Sequence, residues 1–222
     1  MFDLNNKTAI VAGGSGLIGR AIVKALKAQH ANIFIMDTHF EADINVELKD
    51  ETALKIILNK YKPDIFINTT YPKNTFDHIV AYLRTTPIIA EYMAHNGGGS
   101  IVLLSSIYGF VGCDPRLYGG TDVLQPLFEY HFIKGGINAL VKGIATVYGP
   151  MAVRCNAVSP GGVFNGQDQK FVERYIEHVP LRRMAKPEDI ADAVIFLASD
   201  AADYITGENV FVGGGMTAYG WL

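Results

Sequence analysis

Tyr130 and Lys134, four residues apart, are the pair in this sequence best suited to moving a proton. On a helix that spacing puts both side chains on one face, about one turn apart. An ammonium beside a phenol favours the phenolate, drawing a tyrosine pKa of about 10 toward the working range of a general base. Ser106 follows an apolar run at 100–104, at the carboxyl end of a predicted strand, where ligands of open α/β sheets bind. The same spacing also arises by chance on a surface helix, and Tyr130 is then a packed aromatic and Lys134 a solvated charge.

A second group of residues would bind rather than react. Gly13-Gly14-Ser15-Gly16-Leu17-Ile18-Gly19 lies between a predicted strand and a predicted helix. Glycines there permit a tight turn and let backbone N–H groups reach a pyrophosphate at the positive helix end, although such turns also use glycine for steric reasons alone. Asp37 closes the next apolar run, 18 residues beyond Gly19. A carboxylate there can accept hydrogen bonds from an adenosine ribose and would repel a 2′-phosphate, which favours NAD over NADP. The alternative for Asp37 is an ordinary turn residue.

The elements that must position these groups follow from apolar patterning. Short apolar runs at 7–12, 32–36, 64–68, 100–104, 153–158 and 208–212 read as strands. Between them lie helical patterns at 17–30, 49–61, 75–96, 123–148, 167–178 and 187–199. Pro87 should start, kink or break the third of these. Strands alternating with helices predict a doubly wound α/β fold: one Rossmann-like domain over 1–222, a parallel sheet sandwiched by helices.

Composition bounds the rest. Of 222 residues, 49% are hydrophobic and 18% charged, the balance of a folded protein rather than a disordered chain. A net charge of −3 argues against the basic surface that nucleic-acid binding needs. No apolar run approaches the roughly 20 residues of a membrane span. The first residues lack a signal-peptide profile, and a cytoplasmic protein is expected. Cys113 and Cys155 are too few for a disulfide framework and have no metal-ligand spacing, so no metal is expected.

The ordered set Ala12-Gly13-Gly14-Ser15-Gly16-Leu17-Ile18-Gly19, Asp37, Asn68, Ser106, Tyr130-x-x-x-Lys134 and Asn156-x-x-x-Pro160-Gly161 resembles the short-chain dehydrogenase/reductase family. Ile205-Thr206-Gly207 with Gly214-Gly215 resembles that family's C-terminal ending. The resemblance implies hydride transfer between a nicotinamide and a carbinol or carbonyl carbon. Tyr130 would pass the proton to or from the substrate oxygen, and Ser106 would hydrogen-bond that oxygen. Lys134 would hold the nicotinamide ribose and lower the Tyr130 pKa. Asp43-Ile44 resembles the pair that contacts adenine, and Asn68 the first residue of an asparagine-rich turn beside the cofactor. Pro160, Gly161 and Val163 match the loop that meets the nicotinamide carboxamide.

The departures are specific. The glycine spacing is that of extended members, many of which act on nucleotide sugars, whereas the remainder resembles shorter members. Only five residues separate Asp37 from Asp43, so the second helix and third strand must be cut down, leaving a shortened β2–β4 region. Thr69-Thr70-Tyr71 replaces the usual N-A-G, and Gly213 replaces an aspartate. No asparagine falls at the family's helical relay position. Counting from two directions puts Asp77, His78 or Leu83 there, and His78 is either a replacement or a surface or capping histidine.

Twenty-three residues lie between Ser106 and Tyr130, including Tyr118-Gly119-Gly120-Thr121 and Gln125-Pro126. With Tyr71-Pro72-Lys73-Asn74 and Ser159-Pro160-Gly161-Gly162-Val163-Phe164-Asn165, this stretch resembles oxidoreductases like flagellin modification protein A, associated with bacterial surface-sugar biosynthesis. That implies a polar, sugar or nucleotide-sugar substrate. A 3-oxoacyl reductase and a non-catalytic dinucleotide sensor or scaffold are the alternatives. Family members pair the Tyr130 helix and its predecessor about a two-fold axis. Ile133, Ile137, Leu140, Val141, Ile144 and Val147 recur too densely for one face against the sheet, so a homodimer or homotetramer is expected.

Overall fold

The computed structural model describes residues 2–38, 42–46, 48, 50–71 and 74–218. Seven strands form one parallel sheet: β1 (Thr8–Ala12), β2 (Asn32–Asp37), β3 (Ile44–Asn45), β4 (Ile65–Asn68), β5 (Gly99–Leu104), β6 (Val153–Pro160) and β7 (Asn209–Val212). Their spatial order is β3-β2-β1-β4-β5-β6-β7. The order reverses between β1 and β4, which opens a crevice beyond the carboxyl ends of the strands.

Seven α-helices connect them: α1 (Leu17–Ala28), α2 (Glu51–Tyr61), α3 (Thr75–Leu83), α4 (Thr85–His95), α5 (Phe128–Tyr148), α6 (Gln169–Glu177) and α7 (Pro187–Ala198). Strand side chains alternate between two cores. Ile10, Phe66, Ile101, Leu103 and Cys155 pack under α2 to α5 with Leu54, Leu58, Ile89 and Val141. Ala9, Val11, Ile67, Val102 and Val158 pack under α1 and α7 with Ile22, Leu26, Val194 and Leu197. Strands covered on both faces must be apolar at consecutive positions, which is why they read as unbroken apolar runs.

Two boundaries depart from the sequence reading, and a third feature gives an expected shortening its form. The helix expected over 75–96 is two helices that break at Arg84. Pro87 falls in the first turn of α4, where its missing N–H removes no intrahelical bond. α5 starts at Phe128 rather than near 123, because Leu127 is extended and Pro126 lies just before it. The expected shortening after β2 takes the form of a two-residue β3, with no helix between β2 and β3 among the described residues. Asp43 extends that short ladder, its Oδ2 accepting the Ile35 N–H at 2.8 Å.

No helix among the described residues is long and apolar enough to cross a membrane. Nor does any group of three or more His, Cys, Asp and Glu among them have the arrangement of a metal site.

Candidate active site

The turn from β1 into α1 forms one end of a cleft of about 750 Å³ lined by Gly13, Ser15, Gly16, Leu17, Ile18, Gly19, Asp37 and Thr38, among others. The turn is too tight for side chains. Gly13 has φ +77°, and a Cβ there would lie 2.7 Å from Thr69 Oγ1, while one on Gly19 would lie 2.2 Å from the Gly13 carbonyl oxygen. No side chain caps the N-terminus of α1. Its first N–H groups therefore face the cleft without a capping acceptor, a fit for the pyrophosphate of a dinucleotide. Asp37 is held at the cleft wall by the N–H groups of Ser15 and Thr38, at 3.1 Å to Oδ2 and 2.8 Å to Oδ1. An ionised carboxylate has about four acceptor positions, so two remain for ribose hydroxyls.

Several residues expected beside the cofactor do not line this cleft. Asp43 is turned back onto β2 through the Ile35 N–H, and Ile44 is buried in the core under α2. The residues lining this part of the wall are Val46 and Leu48. Asn68 is fully buried: its Nδ2 donates to the Ala81 carbonyl at 2.8 Å, and its Oδ1 accepts from Thr70. It fastens β4 to α3. Gly161 borders the neighbouring cleft, whereas Pro160 completes β6 and Val163 packs into the core beside Ala185.

Ser106 and Tyr130 line a second cleft, of about 550 Å³, with Lys134 buried behind them. Burial pushes the Tyr130 phenol above its ordinary range, hydrogen bonding to Ser106 pulls it back, and Tyr71 adds a smaller upward push. This reverses the direction expected from Lys134. The lysine does not reach for the phenol oxygen: its Nζ donates to the Leu104 carbonyl at 2.8 Å and lies over the Tyr130 ring, 5.7 Å from the centroid. Burial also lowers the Lys134 pKa to about 7.

α3 presents His78 and Tyr82, one turn apart, to this centre. Asp77 lines the first cleft instead, and Leu83 is exposed. His78 is buried, its Nε2 has no hydrogen-bond partner among the described residues, and burial together with the Lys134 charge lowers its pKa to about 4, keeping the ring neutral near pH 7. The surface or capping reading of His78 is thereby corrected, because α3 turns it inward onto Tyr82 and Tyr71, at ring distances of 5.5 and 5.1 Å. Tyr82 was missed from sequence; its spacing of four from His78 was the available signal. Tyr71 lines both clefts, edge-on to Tyr130 with centroids 5.9 Å apart. Pro72 and Lys73, part of the same motif, lie outside the described residues.

The residues between Ser106 and Tyr130 fold over the second cleft together with α6. Tyr108 and Tyr118 share a hydroxyl–hydroxyl bond of 2.8 Å, and Tyr118 packs on Phe171, which stacks on Tyr175. Arg174 of α6 donates to the carbonyls of Arg116 and Gly119 at 3.1 and 2.6 Å, tying helix to loop. Thr75, Gln125 and Glu129 add polar groups to the lining, while Leu124 and Leu127, 89% and 71% exposed, form an apolar rim.

Residues 78–217 match the family described as enoyl-(acyl carrier protein) reductase. The chain is 29% identical over 260 aligned residues to a 7alpha-hydroxysteroid dehydrogenase of Paraclostridium sordellii, covering 97% of this chain and 93% of that protein. It is 29% identical over 249 residues to the 3-oxoacyl-[acyl-carrier-protein] reductase of Rickettsia felis, covering 97% and 99%. A crystal structure of a short chain dehydrogenase from Leptospira borgpetersenii with bound NAD+ superposes with a TM-score of 0.84 at 27% identity, covering 97% of this chain and 94% of that one.

Proposed function

This chain belongs to the short-chain dehydrogenase/reductase family, and from that premise we propose that it is an NAD-linked dehydrogenase or reductase of a neutral, hydroxyl-rich, sugar-like alcohol or ketone. The observation that carries the reading is the placement of Ser106 and Tyr130 on a cleft that shares Tyr71 with the glycine-turned one. A bound nicotinamide dinucleotide supplies or accepts the hydride. Gly13 to Gly19 and the α1 N-terminus hold its pyrophosphate, and Asp37 its adenosine ribose. Tyr130 passes the proton at the substrate oxygen and Ser106 orients that oxygen by hydrogen bonding. Lys134 supplies the positive charge that stabilises a tyrosinate as the proton leaves.

Aromatic faces at Tyr71, Tyr108, Tyr118 and Tyr175, with Gln125, Glu129 and Thr75, suit a ring bearing hydroxyls. Among the described residues lining this cleft none is Lys or Arg, which favours a neutral sugar over a nucleotide sugar. A substrate of the surface-sugar class handled by proteins like flagellin modification protein A fits this reading, as does a cytoplasmic setting that keeps Cys113 and Cys155 as free thiols. The apolar rim of Leu124 and Leu127 favours a second reading, a 3-oxoacyl substrate. NADH consumption against neutral keto-sugars and 3-oxoacyl thioesters separates them. Turnover of the keto-sugars alone supports the first reading, turnover of the thioesters alone replaces it with the second, and NADH binding without any turnover overturns both.

The same reading includes a two-fold homodimer. Ile133, Ile137, Val141 and Ile144, counted from sequence toward an exposed face, are buried inside the subunit. The apolar residues left outside are Phe128, Phe132 and Val147 on α5, with Phe76 and Leu83 on α3. Gly136 and Gly143, where an added Cβ would meet no described atom within 4 Å, lie along that side of α5 and let a symmetry-related helix approach closely. Light scattering at micromolar concentration should give a mass of at least twice 24.2 kDa. A single 24.2 kDa species would refute the dimer.

A further inference from the structure

Lys134 is buried in a setting without a carboxylate among the described residues, and burial alone lowers its pKa to about 7, so near pH 7 its charge depends on what surrounds it. The residue is 4% exposed, and among the described residues no Asp or Glu pairs with it. Its Nζ has the Leu104 carbonyl at 2.8 Å and two ring faces, Tyr82 at 5.4 Å and Tyr130 at 5.7 Å to the centroids. An ammonium within about 6 Å of an aromatic face is attracted by the ring quadrupole, most strongly where water is excluded.

Tyr82 is unusually well fixed for this purpose. It is 2% exposed, and its hydroxyl lies 3.1 Å from the Thr70 carbonyl, 3.3 Å from that of Asn68 and 3.4 Å from that of Leu104. The hydroxyl therefore spans the ends of β4 and β5, and it shares with Lys134 the Leu104 oxygen that receives the ammonium. Asn68, through its bond to the Ala81 carbonyl, anchors the same turn of α3. Burial pushes the Tyr82 phenol far above its usual range, so the ring stays neutral.

We propose that Tyr82 is the positioning residue for Lys134: its ring face, held in place by the hydroxyl's carbonyl contacts, favours the ammonium form against burial and aims it between Leu104 and the Tyr130 ring. This rests on the reading that Lys134 serves Tyr130. A carboxylate would bind the ammonium in one direction. A ring face holds charge without fixing the direction of an N–H donor, so the donors not engaged by Leu104 stay available to a ribose. The other groups around the ammonium do not compete. His78 from α3 is neutral near pH 7, Tyr130 of α5 is held protonated by burial, and Tyr71 lies beyond His78. Just beyond β5, Ser105 donates to the Lys134 carbonyl and Ser106 is uncharged.

The test keeps the shape of residue 82 and varies its quadrupole. Tyr82→Phe is compared with mono-, di- and trifluorinated phenylalanine at the same position in the full chain labelled with 13C-lysine. The Lys134 Cε resonance, assigned by its loss in Lys134→Arg, is followed against pH without cofactor or substrate. Near-constant shape keeps the series folded, and equal thermal midpoints verify that.

The expected result is a graded fall in the proton affinity of Lys134 along the series, reaching on the order of tenfold for the trifluorinated ring. Turnover at pH 7 should fall in step. One midpoint across the fluorinated series would overturn the proposal. So would a loss complete already at Tyr82→Phe, which would make the hydroxyl and not the ring responsible. Because the titration needs no substrate, absence of turnover on every compound would sink the functional reading and leave this result standing.

Discussion

Tyr130→Phe is expected to lower turnover on the order of 10²- to 10⁴-fold while leaving NADH affinity and the thermal midpoint near their parent values. The substitution removes one oxygen. The ring keeps its edge contacts with Tyr71 and His131 and its place over the Lys134 ammonium, so packing survives. What disappears is the group that exchanges a proton with the substrate oxygen. Ser106 cannot replace it, because an aliphatic hydroxyl is a far weaker acid than a phenol. Single-turnover measurement with saturating NADH isolates the chemical step. A Tyr130→Phe protein with a near-normal rate would end the tyrosine mechanism. Lys134→Ala should differ in kind, losing both rate and dinucleotide affinity.

The second large effect is a preference for NADH over NADPH of roughly 10- to 150-fold, the equivalent of about 1.4–3 kcal/mol. Asp37 presents its carboxylate at the cleft with two acceptor positions already filled by backbone N–H groups, which fixes its aim. Ribose hydroxyls would complete it, and a 2′-phosphate would meet a like charge. The nearby cations do not offset this: Arg20, Lys24 and Lys27 line a separate hollow on the outer side of α1, and none of the described residues around the dinucleotide cleft is Lys or Arg. Dissociation constants for the two reduced cofactors test it directly, and Asp37→Ser should narrow the gap. Equal or tighter NADPH binding would refute the assignment.

Most of the sheet was legible because both its faces are covered, so six of the seven strands announce themselves as apolar runs, while the two-residue β3 does not. The break between α3 and α4 was legible through Pro87. What escaped depended on contacts between distant segments. Whether a residue on α3 faces Lys134 depends on where the helix starts and breaks, so counting from two directions left Asp77, His78 and Leu83 open and did not reach Tyr82. The Lys134 side chain points to Leu104, a backbone carbonyl that no sequence pattern marks. Asp43 and Asn68 have polar side chains suited to a ligand, yet a two-residue β3 and the anchoring of α3 engage them first. The apolar density of α5 was read correctly as deep burial and assigned to the wrong cover, since α3 and α4 already pack on that face.

The tie from Arg174 to the carbonyls of Arg116 and Gly119 bears on how this scaffold could be re-engineered. A designer wishing to transplant its substrate preference onto a relative would start with the 107–127 segment, the visible difference in length. That graft would arrive without its clamp and without the Phe171 and Tyr175 rings on which Tyr118 is seated. The transferable module is therefore two pieces of chain, separated by all of α5 and β6, that have to be exchanged together.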